Sequence, residues 1–340
     1  MTEERRMSRG YAIGVASAVA LSTTGVLIRY LTVSHAMPPM VLAFWRNFFV
    51  TVTLGAVLSL DRPGRLRVPL GQLGYLVGYG FLLAVFNGFY TFSVALNGAA
   101  VGTVLVYSSA AFTAVLGRVC LGERLGWAKV SAIGLSLAGC VLVTGAYGTG
   151  VDGSSVGAAG IVTGALSGLL YAVYSLMGRT ASSQRQLDSW TTLLYTFGSA
   201  ACVQLLLNLL PGTGPAGAAG GAAGLFMLGR AGGGWLALFI LGAGPTLVGF
   251  GLYNLTLSYL PTSAANLLLT LEVPCAAFIA FLALGETLTA QQVLGSVLIL
   301  AGVVLLRLSA EGGRFAPARY LRPRSAGGTA PALEPGSMGH

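Results

Sequence analysis

The stretch LGERLGWAKVSAIGLSLAGCVLVT at Leu121–Thr144 returns as LGETLTAQQVLGSVLILAGVVLLR at Leu284–Arg307, ungapped, 163 residues later, with eleven of 24 positions identical. The same offset places Tyr90 on Tyr253, Leu105 on Leu268 and Ala114 on Ala277, so the duplication extends back over at least three helices of each half. Each copy opens on a short L-G-E turn and continues into an apolar run long enough to cross a bilayer. A membrane repeat of this kind is characteristic of secondary transporters.

Composition points the same way. Of 340 residues, 55% are hydrophobic, only 9% are charged and 50 are glycine, far too little charge for a soluble domain. A spanning helix needs roughly 20 apolar residues. Runs that supply them fall at 10–32, 38–60, 70–92, 98–119, 127–146, 156–178, 189–210, 234–257, 262–283 and 290–308. The expected fold class is an all-α polytopic membrane protein with ten transmembrane helices. Its expected domains are a cytoplasmic N-terminus (1–9), a first five-helix repeat (10–146), a linker (147–155), a second repeat (156–308) and a disordered cytoplasmic tail (309–340). The breaks carry turn residues, such as Met37-Pro38-Pro39 and Asp61-Arg62-Pro63-Gly64. The first run, although preceded by Arg5, Arg6 and Arg9, is long enough to be a retained helix rather than a signal peptide.

The net charge of +9 does not indicate nucleic acid, because the cations lie scattered between apolar runs. With the N-terminus in the cytoplasm, sixteen Lys and Arg fall inside and only Arg230 clearly outside, leaving Arg29 and Arg46 within spans. Both termini are then cytoplasmic. Five helices per repeat is an odd number, so the second repeat is expected to be inverted. The loop charges agree: Arg118, Arg124 and Lys129 become Phe281, Thr287 and Gln292 at the matching positions. Cys120, Cys140, Cys202 and Cys275 show no C-x-x-C spacing and read as small core residues.

Enzyme-like patterns carry no weight in this chain. Two G-x-G-x-x-G matches (148–153 and 212–217) and one G-x-S-x-G match (153–157) lie in glycine-rich stretches that follow no strand. His35 and His340 are the only histidines, and Lys129 is the only lysine, outside any G-K-[ST]. No metal site, P-loop or cofactor is expected.

These features resemble the drug/metabolite transporter superfamily, specifically its ten-helix EamA-type permeases, over residues 10–308. The likeness rests on Phe44-Trp45-Arg46-Asn47-Phe48 in the second helix, the two L-G-E turns, and Glu272-Val273-Pro274 in the ninth helix. It departs from the family where Val273 separates Glu272 from Pro274, and where Leu21-Ser22-Thr23-Thr24-Gly25 replaces a tryptophan-glycine pair. The resemblance implies inner-membrane transport, commonly export, of small metabolites such as amino acids, without ATP. It also implies that Arg46 lies in a peripheral helix that braces the bundle.

A charge at the bilayer centre costs at least about 2.5–3.5 kcal/mol, so Arg46 and Glu272, both near mid-span, need a reason to be there. Each can support packing or face a solute cavity. For Glu272 the expectation is a substrate site able to hold an amine or carry a coupled proton, with Pro274 freeing a backbone carbonyl beside it. For Arg46 it is structural support, and for Arg29 an interfacial position. Asn87, Tyr107, Asn266 and Thr270, also near mid-span, are the uncharged candidates for substrate contact. Ser22, Thr23, Thr24, Tyr90, Ser108, Ser109, Tyr171, Tyr174, Tyr253 and Asn254 form a weaker polar set. Glu123 and Glu286, at the L-G-E turns, are expected to cap the following helices. Gly160, Gly164 and Gly168, and separately Gly74 with Gly78, read as close helix crossings.

The expected function is export of a small zwitterionic or neutral metabolite by alternating access. Efflux of organic cations is the alternative, and a membrane-embedded enzyme or scaffold the remote one. The expected partners are a small-molecule substrate and membrane lipid, with no nucleic acid.

Overall fold

The computed structural model of the chain describes residues 3–61, 68–122, 126–144, 158–210, 218–284 and 289–311. They are helical almost throughout. In chain order the helices are α1 (Glu3–Ser22), α2 (Thr24–Ser34), α3 (Pro39–Asp61), α4 (Leu70–Tyr107), α5 (Ser109–Leu121), α6 (Trp127–Thr144) and α7 (Ala158–Ser183). They continue as α8 (Ser189–Leu209), α9 (Ala222–Leu225), α10 (Gly232–Leu241), a π-helical turn (Gly242–Thr246), α11 (Leu247–Tyr259), α12 (Thr262–Leu269), α13 (Glu272–Leu284) and α14 (Ala290–Glu311). Among the described residues, five stretches are long and apolar enough to cross a membrane: Pro39–Asp61, Leu70–Tyr90, Gly160–Ser183, Ser189–Leu209 and Gly232–Tyr259. Leu105–Leu121, Trp127–Leu142 and Val293–Leu305 are shorter apolar helices. The chain is thus a multi-pass helical membrane protein.

The duplication reappears in the helix boundaries. Adding 163 to the ends of α5 gives the ends of α13, and Trp127 at the start of α6 lands on Ala290 at the start of α14. Packing follows the same rule. A Cβ on Gly139 of α6 would lie 2.5 Å from the Gly295 carbonyl oxygen and 2.7 Å from Ile299 of α14. A Cβ on Gly302, the mate of Gly139, would lie 2.7 Å from the Ala132 carbonyl oxygen and 2.5 Å from Ser136, the mates of Gly295 and Ile299. Residue i meeting the mate of j while j meets the mate of i is the pattern of a two-fold axis. Because 132 lies by 302 and 139 by 295, the two helices run antiparallel.

A second crossing repeats the pattern. Gly14 of α1 lies against Leu268 and Thr256, and Gly164 of α7 lies against their mates Leu105 and Ser93. Small residues let the backbones approach, and packing supplies the cohesion that the hydrophobic effect cannot supply between helices in lipid. Gly168 continues the contact, with the Leu105 carbonyl oxygen 2.8 Å from its hypothetical Cβ. The crossing expected of Gly160, Gly164 and Gly168 is therefore made against α4. Gly74 and Gly78 have nothing within 4 Å of an added Cβ and lie on an exposed face, so that glycine pair makes no crossing among the described residues.

Several helix boundaries differ from the sequence reading. The runs 70–92 and 98–119 are not separate helices: α4 is continuous from Leu70 to Tyr107, about 57 Å at 1.5 Å per residue. Asn97-Gly98 does not stop it, whereas the second half breaks at the matching Leu260-Pro261, where proline lacks an N–H. Run 10–32 bends at Thr23, where the Ser22 and Thr23 hydroxyls donate to the Val19 and Ala20 carbonyls (2.6 and 2.9 Å). Run 234–257 is interrupted by the π turn, with Pro245 inside it and Gly244 at φ −91°, ψ −106°.

The first L-G-E turn has a clear local cause. Gly122 ends α5 at φ 65° and its N–H donates to the Gly117 carbonyl, a left-handed cap that favours glycine. Glu123 and Glu286, like the tail beyond residue 311, lie outside the described residues. Cys140 is buried, but Cys120 and Cys202 are exposed on helix surfaces, so the reading of all four cysteines as core residues is corrected. Their weakly polar thiols are tolerated against lipid.

Candidate functional site

Two helix breaks occupy matching positions in the halves. After α4 the Ser108 N–H donates to the Leu105 carbonyl (3.2 Å) and the Phe112 N–H to the Ser108 carbonyl (3.2 Å). After α12 the mates do the same: Leu271 N–H to Leu268 (3.1 Å) and Cys275 N–H to Leu271 (3.1 Å). Ala111 also donates to Ser108 (2.9 Å), but its mate is Pro274, which has no N–H to give. The carbonyl expected to be freed by Pro274 is that of Thr270, and it accepts from the Val273 N–H (3.2 Å). It is therefore not left open to a solute.

The breaks bring Tyr107, the last residue of α4, to Glu272, the first residue of α13, where the tyrosine hydroxyl hydrogen-bonds the carboxylate. Glu272 retains partial exposure while Tyr107 is buried. Tyr171 of α7 and Cys140 of α6 lie within electrostatic reach of the carboxylate. Four helices thus converge on one acidic group. Its position in the first turn of α13 also favours a negative charge.

Tyr171 joins this group to a buried aromatic and amide network. Its ring centroid lies 5.0 Å from Phe86, 5.9 Å from Tyr174 and 5.8 Å from Tyr253. The Tyr253 hydroxyl donates to Asn266 Oδ1 (2.7 Å), Asn266 Nδ2 donates to Ser175 Oγ (3.0 Å), and the Ser175 hydroxyl donates to the Tyr171 carbonyl (2.7 Å). This assignment gives each donor one acceptor. Asn254 Nδ2 donates to the Phe250 carbonyl (3.0 Å) and to the Tyr174 hydroxyl (3.3 Å).

The expected residues therefore separate. Glu272 and Tyr107 come together. Asn266 belongs to the adjoining Tyr253–Ser175 network, and Thr270 turns its hydroxyl onto the Leu267 carbonyl (2.7 Å) of its own helix. Asn87 of α4 pairs with Arg46 of α3, whose Nη2 donates to Asn87 Oδ1 at 2.9 Å. Arg46 and Glu272 do not pair with each other. Tyr253, Tyr171 and Ser175 carry more of the site than their single positions suggested. The repeat offset gave a signal for Tyr253, because it is the mate of Tyr90. Beside α13 an apolar groove of about 520 Å³ is lined by Val15 and Val19 of α1, Leu271, Pro274, Cys275 and residues of α14.

The comparisons with known proteins agree with this architecture. The EamA-like transporter family matches twice, over residues 8–145 and 158–308. An uncharacterized transporter of Archaeoglobus fulgidus is 27% identical over 303 residues, covering 88% of this chain and 97% of its own length. A protein of Escherichia coli named a probable amino-acid metabolite efflux pump is 26% identical over 290 residues, covering 80% of this chain and 86% of its own length. One crystal structure superposes with a TM-score of 0.72 at 19% identity, covering 90% of this chain and 98% of the other. At that identity the likeness shows a shared fold.

Proposed function

Because the chain belongs to the EamA-like transporter family, and is thus a transporter rather than an enzyme, we propose that it exports a small amine-bearing zwitterion across the cytoplasmic membrane by alternating access. The observation that carries this reading is the Glu272 carboxylate at the meeting point of two repeat-related helix breaks, flanked by Tyr107 and Tyr171. A carboxylate with neighbouring hydroxyls suits an ammonium group, and broken helices near midplane are where secondary transporters bind solute.

The proposed frame is ten spans in two inverted five-helix repeats, with both termini in the cytoplasm. The antiparallel crossing of α6 and α14 supports the inversion, and the cation asymmetry supports the orientation. Relatives named as amino-acid metabolite efflux pumps support export. Purified protein in liposomes should move amino acids unchanged and without ATP. Chemical conversion of the solute, or absence of flux for every amine and amino acid tried, would reject the proposal.

Efflux of organic cations is the second reading, favoured by the apolar groove beside α13 and by tyrosine faces that attract cations. Flux of lipophilic amines in preference to amino acids would select it.

A further inference from the structure

The crossing of α1 on α11 and the crossing of α7 on α4 are mates, so their differences can be read residue by residue. From α1 to α7 the repeat offset is 150, on which Gly10, Gly14, Ser17 and Arg29 fall on Gly160, Gly164, Ser167 and Arg179. From α4 to α11 it is 163. The central contact is kept in both: Leu21 lies 2.5 Å from an added Cβ on Gly249, and their mates Tyr171 and Phe86 pack with ring centroids 5.0 Å apart.

Beyond that contact the two ends part. In the α4–α7 crossing the next pair is Tyr79 and Tyr174, with ring centroids 4.5 Å apart in unbroken helices. Past it the Tyr75 hydroxyl donates to the Met177 carbonyl (2.6 Å) and Arg185 Nη1 to Gln72 Oε1 (2.6 Å). In the α1–α11 crossing the mates of that tyrosine pair are Gly242 and Thr24, and each stands at a helix break. The mates of Tyr75 and Met177 are Leu238 and Leu27, which share an apolar cluster with Leu31, Leu241 and the start of α3, separate from the main core. One end is tied by hydrogen bonds and closed by stacked phenols. The other is broken twice at one level and held by apolar contact alone among these mates.

Both breaks also carry a spare hydroxyl. Thr24 Oγ1 and Thr246 Oγ1 are buried and have no partner among the described residues, whereas Ser22, Thr23 and Thr32 donate to carbonyls of their own helices. A spare buried hydroxyl is a cost in this arrangement that a second arrangement can recover. We propose that α2 and α10, with the start of α3, form one gate body that swings on the paired breaks at Thr23–Thr24 and Gly242–Thr246 while the end closed by Tyr79 and Tyr174 stays shut. Short π turns are common at functional sites, and a few residues at element ends suffice for a hinge. On the proposed orientation this gate is the outer mouth. It rests on the repeat geometry and not on which solute Glu272 binds.

Paired spin labels in lipid nanodiscs, in a chain lacking its four native cysteines, read the swing. Labels at exposed Tyr30 on α2 or Leu236 on α10 are each paired with Leu294 on α14, and exposed Val248 on α11, past the π turn, is paired with Leu294 as the reference. Both gate pairs should show two distances whose populations shift together when leucine is added, and the reference pair should show one. Gly244→Ala with Pro245→Ala restores a helix-compatible turn, since an added Cβ on Gly244 meets Ile240 only at 3.9 Å. That variant should leave one distance in both gate pairs. Thr246→Val deletes a hydroxyl that has no partner here, should melt no lower than wild type and should deplete the second distance, and it serves if the double variant does not fold.

A single distance in both gate pairs, with and without leucine, overturns the gate. So does a reference pair that moves with them, which is the rocking of a whole half, and so do two distances that persist unchanged in both variants. Gate pairs that move and are arrested by either variant, in a protein that transports no amino acid, uphold the gate and reject the solute reading instead.

Discussion

Tyr107 and Glu272 meet across two helix breaks that are mates of one another, yet the two residues are not mates. Thr270 stands where Tyr107 repeats, and Ser109 stands where Glu272 repeats. The backbone at the breaks has kept its two-fold relation while the side chains have diverged. Shared geometry brings the chain to one point, and the difference between the halves places an acid on one side of it and a phenol on the other.

Replacing Glu272 with Gln keeps size and hydrogen-bonding capacity but removes ionisation. The variant should express and melt like wild type while losing about ten- to a hundredfold in binding of an amine-bearing solute, the range expected for a hydrogen bond to a charged group. Any pH dependence of flux that comes from this carboxylate should flatten. Normal binding and pH response in a folded Glu272→Gln protein would transfer the role to the uncharged residues around Tyr107 and Asn266.

Glycine substitutions on α6 should have opposite effects within two turns. Gly139→Ala drives a methyl group into the Gly295 backbone and should cost about 1–3 kcal/mol. Gly134→Ala meets nothing within 4 Å and should be neutral or gain up to about 1 kcal/mol from helix propensity. Thermal unfolding of the purified variants reads the difference. Gly302→Ala should behave like Gly139→Ala, and equal stabilities for all three variants would contradict the crossing.

Single cysteines at Arg124 and Thr287, in a chain lacking its four native cysteines, test the proposed inversion. An impermeant thiol reagent applied to intact cells should label one position and spare the other. Comparable labelling of both would remove the inverted arrangement.

Glu123→Gln and Glu286→Gln should each lower stability by roughly 0.3–1 kcal/mol, the usual value of a carboxylate at a helix start, and leave solute preference unchanged. Purified variants that kept their melting temperature but stopped transporting would move these glutamates from the scaffold into the mechanism.

Much of this was legible in the sequence because the L-G-E turns and the 163-residue offset are local patterns that survive divergence. The five long apolar helices followed from apolar length, and Glu272 and Tyr107 stood out as candidates from polarity at mid-span. The bends were harder to see. Thr23, Ser108 and the Gly242–Thr246 turn interrupt runs whose hydropathy never changes, so only hydroxyl back-bonding and Pro245 mark them. Gly10 and Gly14 have the same spacing as Gly160 and Gly164 but give no sign of a crossing in the sequence, because a glycine pair shows its use only when the opposite helix is known. Gly74 and Gly78 have that spacing and no opposite helix among the described residues. Arg46 was legible as a costly charge, but its partner Asn87 lies 41 residues away on another helix, and spacing cannot supply that.

The contact of α6 with α14 has the form of a homodimer interface written into one polypeptide. Were its two faces on separate molecules, their meeting would depend on how many copies shared the bilayer. Joined in one chain, they meet at an effective concentration on the order of millimolar. Dilution during low expression, or dispersal into a large excess of lipid, leaves the crossing closed, and the rest of the bundle assembles around a contact whose stoichiometry the gene itself sets.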